Sequence, residues 1–283
     1  MTDTKIFIDG VDVPRFLYGT AWKEEATERL TGLALQQGFR GIDTANQRRH
    51  YDEAAVGRAV SAAITSGLLS RAELFLQTKF TFSRGQDHRL PYDPAAPIGE
   101  QVEQSLASSL AHFGTDTVDS FILHGPSVRT GLSDDDWAAW RAMEQTHDSG
   151  QARLLGVSNV SLGQLQLLWR GARVRPRFVQ NRCYARLGWD RAIREFCAAH
   201  DVVYQGFSLL TANREVLAHP DMAQIAASHG RSVSQVVFRF ALEVGMIPLT
   251  GTSDPRHMRE DLDAFNFSLE PAEVRQIEHL LVA

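Results

Sequence analysis

Leu74-Phe75-Leu76-Gln77-Thr78-Lys79 and Val118-Asp119-Ser120-Phe121-Ile122-Leu123-His124 are two short, mostly apolar runs, and each ends on a basic side chain. Between them Val102, Leu106, Leu110 and Phe113 recur at steps of four, four and three, which gathers them on one face of a helix over 100–113. Strand, helix and strand in that order pair the strands in parallel through a right-handed crossover.

The alternation continues in both directions. Toward the N-terminus, strand candidates at 16–18 and 41–43 flank a helix over 24–37 with Leu30, Leu33 and Ala34 on one face. Toward the C-terminus, strand candidates at 154–157, 178–180, 202–205 and 246–248 alternate with helices over 134–148, 162–169, 232–243 and 255–264. The helix over 134–148 opens on acidic residues, and Ser161 caps the next one. A last helix over 271–281 packs outside. Ahead of everything, Ile6-Phe7-Ile8 and Val11-Asp12-Val13 flank Asp9-Gly10, a hairpin signal suited to capping one end of a barrel. Eight strand candidates predict one domain over 1–283, a closed (β/α)8 TIM barrel, and the length suits the ~250 residues such barrels need. A doubly wound sheet is the competing arrangement. It would carry a Gly-rich phosphate loop after its first strand, and Gly19-Thr20-Ala21-Trp22 is not one. The stretch 80–97, with three prolines, reads as a long loop with a functional role.

A net charge of −5 argues against nucleic acid as the main partner, and Arg48-Arg49-His50 is too short for a basic stripe. Two cysteines without CxxC spacing, Cys183 and Cys197, suit a reducing compartment. The opening Met1-Thr2-Asp3-Thr4-Lys5 lacks the apolar core of a signal peptide, and no apolar run approaches the ~20 residues of a membrane span. A soluble, cytoplasmic protein is expected. Ten histidines form no pair or cluster of metal-ligand spacing, so no metal is expected.

Barrel enzymes act at the C-terminal ends of their strands. The polar residues there are Asp43, Lys79, His124, Ser158-Asn159 and Gln180-Asn181. A charge at the inner end of a strand is costly unless paired, which couples Asp43 to Lys79. Taken singly, each is as well explained by the rim of a solvated loop; taken together, they point to a site.

Gly41-Ile-Asp-Thr-Ala45, Gln77-Thr-Lys79, Asp119-Ser-Phe-Ile-Leu-His124, Gly156-Val-Ser-Asn159 and Gly251-Thr252 resemble, in order and spacing, the successive signatures of the aldo-keto reductases. The resemblance runs from about Gly19 to Asp261. It implies a barrel that reduces aldehydes and ketones with a nicotinamide cofactor bound without a Rossmann motif. It implies Lys79 as a cation that acidifies a phenol, Asp43 as its partner and His124 as the donor that orients the carbonyl. A phenol near pKa 10 needs such a cation to act as an acid at neutral pH.

The phenol is where the pattern breaks. The usual Tyr, five residues after the Asp, falls on Arg48, and the stretch 46–53 is expanded by two residues. Counting back from Glu53 and Val56-Gly57 puts His50 in the slot with Tyr51 beside it; Tyr51 is the preferred acid and His50 the alternative. The resemblance further implies Ser158, Asn159 and Gln180 at the nicotinamide carboxamide and Phe207 as its stacking platform. Ser208 and Leu210 would run along the pyrophosphate, with Thr20 and Ala21 near the ribose, and Asp43 would also touch the cofactor. Thr252, Ser253, His257 and Asp261 would hold the adenosine end. Arg256, His257 and Arg259 tilt the choice toward NADPH over NADH. His124-Gly125-Pro126 lacks the Trp often found at its centre. With Trp22 as one wall and Phe80, Phe82 and Tyr92 as another, that loss points to a bulky or aromatic carbonyl substrate. Two other readings are a nicotinamide-binding regulatory or sensor barrel with weak turnover, and a barrel enzyme acting on phosphorylated sugars. No motif specifies the oligomeric state.

Overall fold

The computed structural model describes residues 3–282. An antiparallel hairpin, β1 (Lys5–Ile8) and β2 (Val11–Pro14), comes first, paired Ile6 to Val13 and Ile8 to Val11. Its two turn residues, Asp9 and Gly10, both have positive φ, the geometry that matches the twist of the flanking strands. Eight parallel strands follow and close on themselves: β3 (Leu17–Gly19), β4 (Gly41–Asp43), β5 (Phe75–Phe80), β6 (Val118–Leu123), β7 (Ala152–Ser158), β8 (Phe178–Arg182), β9 (Val203–Phe207) and β10 (Ile247–Thr250), with β10 beside β3. The barrel expected from the sequence is the one observed.

Helices wrap the outside: α1 (Thr27–Gln36), α2 (Glu53–Thr65), α3 (Ile98–Phe113), α4 (Asp134–Asp148), α5 (Leu162–Gly171), α6 (Arg191–Ala199), α7 (Arg214–Leu217), α8 (Pro220–Ser228), α9 (Val233–Glu243), α10 (Pro255–Leu262) and α11 (Pro271–His279). Ser161 caps α5 by accepting from the Gln164 N–H, as its position predicts. Four helices escape the periodicity reading. In α2 the buried face is largely alanine, valine and glycine, which makes only a weak apolar stripe; in α6 the stripe of Ile193, Phe196 and Cys197 is clear but spans only nine residues. The short α7 and α8 are the other two. None of these helices is long and apolar enough to cross a membrane.

The barrel interior is apolar at the bottom. Leu17, Phe75, Ile122, Leu154, Phe178, Ile247 and Leu249 pack there against Ile8, Val11 and Val13, so the hairpin plugs the N-terminal mouth. Gly156 belongs to this packing: a Cβ there would sit 2.3 Å from Ile122 Cδ1 and 2.9 Å from Phe178 Cβ. A larger apolar shell lies between strands and helices. The stretch after β5 folds into that shell. Phe80 packs against Phe82 and Tyr92 at ring-centre distances of 5.2 and 5.6 Å, and all three are buried. The expectation that these rings wall a substrate pocket is therefore corrected: an apolar ring next to a packed shell gains more by joining it than by facing water.

Candidate active site

Strand register sets polar side chains at one height across the barrel. Asp43 lies beside Gln77, Gln77 beside Ser120, Ser158 beside Gln180, and Gln180 beside Gln205. Gln77 and Gln180 donate to Asp43 Oδ1 at 2.7 and 2.9 Å, and both also donate to Gln205 Oε1 at 2.8 and 3.0 Å. Gln205 Nε2 and the Ser120 hydroxyl donate to Gln77 Oε1 at 3.0 and 2.9 Å. Polar groups this deep require partners, and this layer supplies them from within.

Lys79 stands two residues on from Gln77 and so on the same inward face of β5. Its Nζ lies 2.7 Å from both Asp43 oxygens and 2.8 Å from the Thr44 carbonyl, which uses all three of its N–H donors. The side chain is fully buried. Burial pushes the Lys79 pKa down, and the Asp43 carboxylate pulls against it. Tyr51 presents its ring to this ammonium, 5.5 Å from Nζ to the ring centre, and meets the His124 ring edge to face at 6.0 Å. Burial, and after it the Asp43 carboxylate, raises the Tyr51 phenol above its usual range. That direction is opposite to the one expected from a neighbouring cation alone: the charge on Lys79 is directed at Asp43, and the phenol is desolvated. His124 Nδ1 lies 2.7 Å from the Thr81 hydroxyl. Burial, followed by the Lys79 charge, pushes its pKa down to about 3, so the ring is neutral at pH 7. His50 sits apart from this group. Its ring stacks on Trp22 at 3.8 Å and its Nδ1 lies 2.9 Å from Gln47 Oε1.

These groups open into one cavity of about 660 Å³, within the range of small-molecule sites. Of the residues singled out from the sequence, Ala21, Asp43, His50, Tyr51, His124, Ser158, Gln180, Phe207, Ser208, Leu210, Thr252, His257 and Asp261 line it. Lys79 lies directly behind Asp43. Thr20, Asn159 and Ser253 do not border the cavity either. Thr20 is buried, with its hydroxyl on the Asp43 carbonyl at 3.0 Å; Asn159, at positive φ, turns its amide to the His124 carbonyl at 2.7 Å; Ser253 faces outward. Thr20 and Asn159 thus fix the backbone of Asp43 and His124.

The sequence profile of the aldo/keto reductase family matches residues 17–282. The chain belongs to that family. It is 32% identical over 257 residues to an aldo-keto reductase from Mycobacterium avium, covering 91% of this chain and 82% of that one. It is 27% identical over 305 residues to prostaglandin F synthase 2 from Bos taurus, covering 97% and 90%. A crystal structure of an aldo/keto reductase from Brucella melitensis superposes with a TM-score of 0.82 at 28% identity, over 98% of this chain and all of that one. Members of the family are oxidoreductases acting on small carbonyl compounds, and this chain is one of them.

Several residues of this family member's site are not among those picked from the sequence. Gln77 and Gln205 each precede a chosen residue, Lys79 and Phe207, by two positions, so strand period alone would have marked them as inward-facing. Lys23 lines the cavity and donates to the Gly251 carbonyl across it. Arg182 lines it too, stacked 5.6 Å from the Tyr184 ring centre. Neither has a sequence signal beyond its charge. Among the described residues no group of three metal-ligating side chains is found.

Proposed function

We propose that this protein is an NADPH-dependent reductase of aldehydes or ketones, with Tyr51 as proton donor, Lys79 as the cation beside it, Asp43 as the carboxylate that holds Lys79, and His124 as the donor that orients the carbonyl. The observation that carries the reading is that Tyr51, Asp43 and His124 border one cavity, with the Lys79 ammonium buried directly behind them against Asp43 and the Tyr51 ring.

The donor set fits a dinucleotide. Both Nε2 hydrogens of Gln180 are given to Asp43 and Gln205, which leaves its Oε1 for an outside amide N–H. Ser158 lies beside it, and the half-buried Phe207 ring borders the same space as a stacking surface. Among the described residues no main-chain carbonyl takes the N–H groups of Leu209, Leu210 and Thr211, and such a turn of free N–H groups cradles phosphate. At the far end Thr252, His257 and Asp261 would take the adenosine, with Thr20, Asn159 and Ser253 supporting the walls. His257, with Arg256 at 3.2 Å, supports NADPH over NADH. Cys183 and Cys197 are both free and buried, consistent with a cytoplasmic setting.

When bound, the nicotinamide supplies a hydride to the carbonyl carbon. The carbonyl π pair moves onto oxygen, and the Tyr51 O–H gives that oxygen its proton. The phenolate left behind sits beside the Lys79 ammonium, whose attraction is strong in a dry interior. His124 hydrogen-bonds the same oxygen as charge builds on it. Even with its pKa raised, the phenol is still more acidic than the alcohol formed, so handing its proton to the nascent alkoxide is favourable. Tyr51 is preferred to His50 because the His50 ring is engaged with Trp22 and Gln47.

The test is a cofactor titration followed by turnover with a panel of aldehydes. Tyr51→Phe should lower kcat for reduction at least ~100-fold with cofactor affinity unchanged, and His50→Ala much less. Full activity in Tyr51→Phe removes the acid assignment. Tight cofactor binding without turnover by the wild type favours a sensor barrel instead.

A further inference from the structure

Thr81, the first residue beyond β5, places its hydroxyl 2.7 Å from His124 Nδ1 and is the one partner of that nitrogen among the described residues. Its conformation is held from several sides. The Thr81 carbonyl accepts from the Tyr92 hydroxyl at 2.7 Å and from Gln86 Nε2 at 3.4 Å, and that same Gln86 amide donates to the Asn46 carbonyl at 2.8 Å. The Thr81 methyl occupies space next to Gly85, where an added Cβ would come within 2.7 Å of it. With the methyl against Gly85, the hydroxyl is left facing His124.

That hydroxyl carries one proton. If it accepted from an Nδ1–H, its own proton would have no acceptor among the described residues, in a residue only 6% exposed. A buried donor without a partner is the costly arrangement. Donating to Nδ1 satisfies both atoms and leaves the ring hydrogen on Nε2, on the side where His124 borders the cavity. We infer that Thr81 is a positioning residue that fixes His124 as the Nε2–H tautomer, so that the imidazole offers a substrate oxygen a hydrogen-bond donor rather than a lone pair. Its catalytic consequence rests on the reductase reading; the tautomer itself does not. The ring is neutral, so the question is which nitrogen holds the one hydrogen. The segment 81–97 then has a task in the site: Tyr92, Gln86 and Gly85 hold Thr81 in place.

The experiment is nitrogen-15 NMR of histidine-labelled protein, with the His124 signals assigned by their loss in His124→Gln. Wild type and Thr81→Ser should show Nε2 protonated and Nδ1 bare. Thr81→Val keeps the methyl packing but not the hydroxyl. It should lose that pattern and lower kcat about tenfold while cofactor Kd and thermal unfolding stay unchanged. Hydrogen on Nδ1 in the wild type overturns the inference, as does a Thr81→Val protein that keeps both the ring state and kcat. A wild type with hydrogen on Nε2 that turns over no aldehyde supports the tautomer and removes the reductase reading.

Discussion

Replacing Gln205 by Leu tests whether the polar layer under the site acts as one unit. The substitution deletes three hydrogen bonds: those accepted from Gln77 and Gln180 and the one given to Gln77. Two buried N–H groups, one on each neighbouring glutamine, are then without partners. Each costs about 2 kcal/mol, and added apolar burial by Leu returns about 2 kcal/mol, for a net loss of about 2 kcal/mol. With a urea slope of about 3 kcal/mol/M, the unfolding midpoint should fall by about 0.7 M at unchanged slope. Gln77→Leu likewise leaves two donors, on Gln205 and Ser120, and also withdraws a donor from Asp43. In the double variant the unpaired donors are only those of Gln180 and Ser120, so its cost should be less than the sum of the two single costs by about two unpaired donors, or roughly 2–4 kcal/mol. Equilibrium unfolding followed by circular dichroism measures all three. A Gln205→Leu midpoint equal to the wild type, or strict additivity in the cycle, would refute the account of a mutually satisfied layer.

The remaining predictions concern titration and substrate choice. Tyr51 is raised by burial and so stays protonated through neutral pH; reduction should be flat from about pH 6 to 9, whereas alcohol oxidation, which needs the phenolate, should climb about tenfold per unit over that range. An oxidation rate that levels off near pH 7 would contradict this. Asp261, donated to by Thr250 at 2.7 Å, is pushed by burial from 3.8 up to about 6. Its folded pKa exceeds its unfolded one, so stability is lost as pH rises from about 4 through 6. Asp261→Asn should accordingly stabilise the protein by about 3 kcal/mol at pH 8 and by little at pH 4, measured by denaturant unfolding at both. With Gly125 beside His124 and with Trp22 two-thirds exposed at the cavity, benzaldehyde-type substrates should give higher kcat/KM than glyceraldehyde; a clear preference for glyceraldehyde would count against a bulky pocket.

Local sequence determined the barrel and the chemical types at its upper rim. Each strand is a short apolar run, so its last inward polar residue stands out, and Asp43, Lys79, His124, Ser158 and Gln180 could be found one strand at a time. Tertiary structure decided what no single strand can encode. Neighbouring strands in register join Gln77, Gln180 and Gln205 around Asp43, and a loop expanded by two residues turns Tyr51, rather than His50, toward Lys79. The fold also drew Phe80, Phe82 and Tyr92 into the apolar shell and brought Thr81 to His124 across 43 positions of sequence. Periodicity reports which face of an element is buried; which side chains meet depends on the closure of the barrel, and that is a property of all eight strands together.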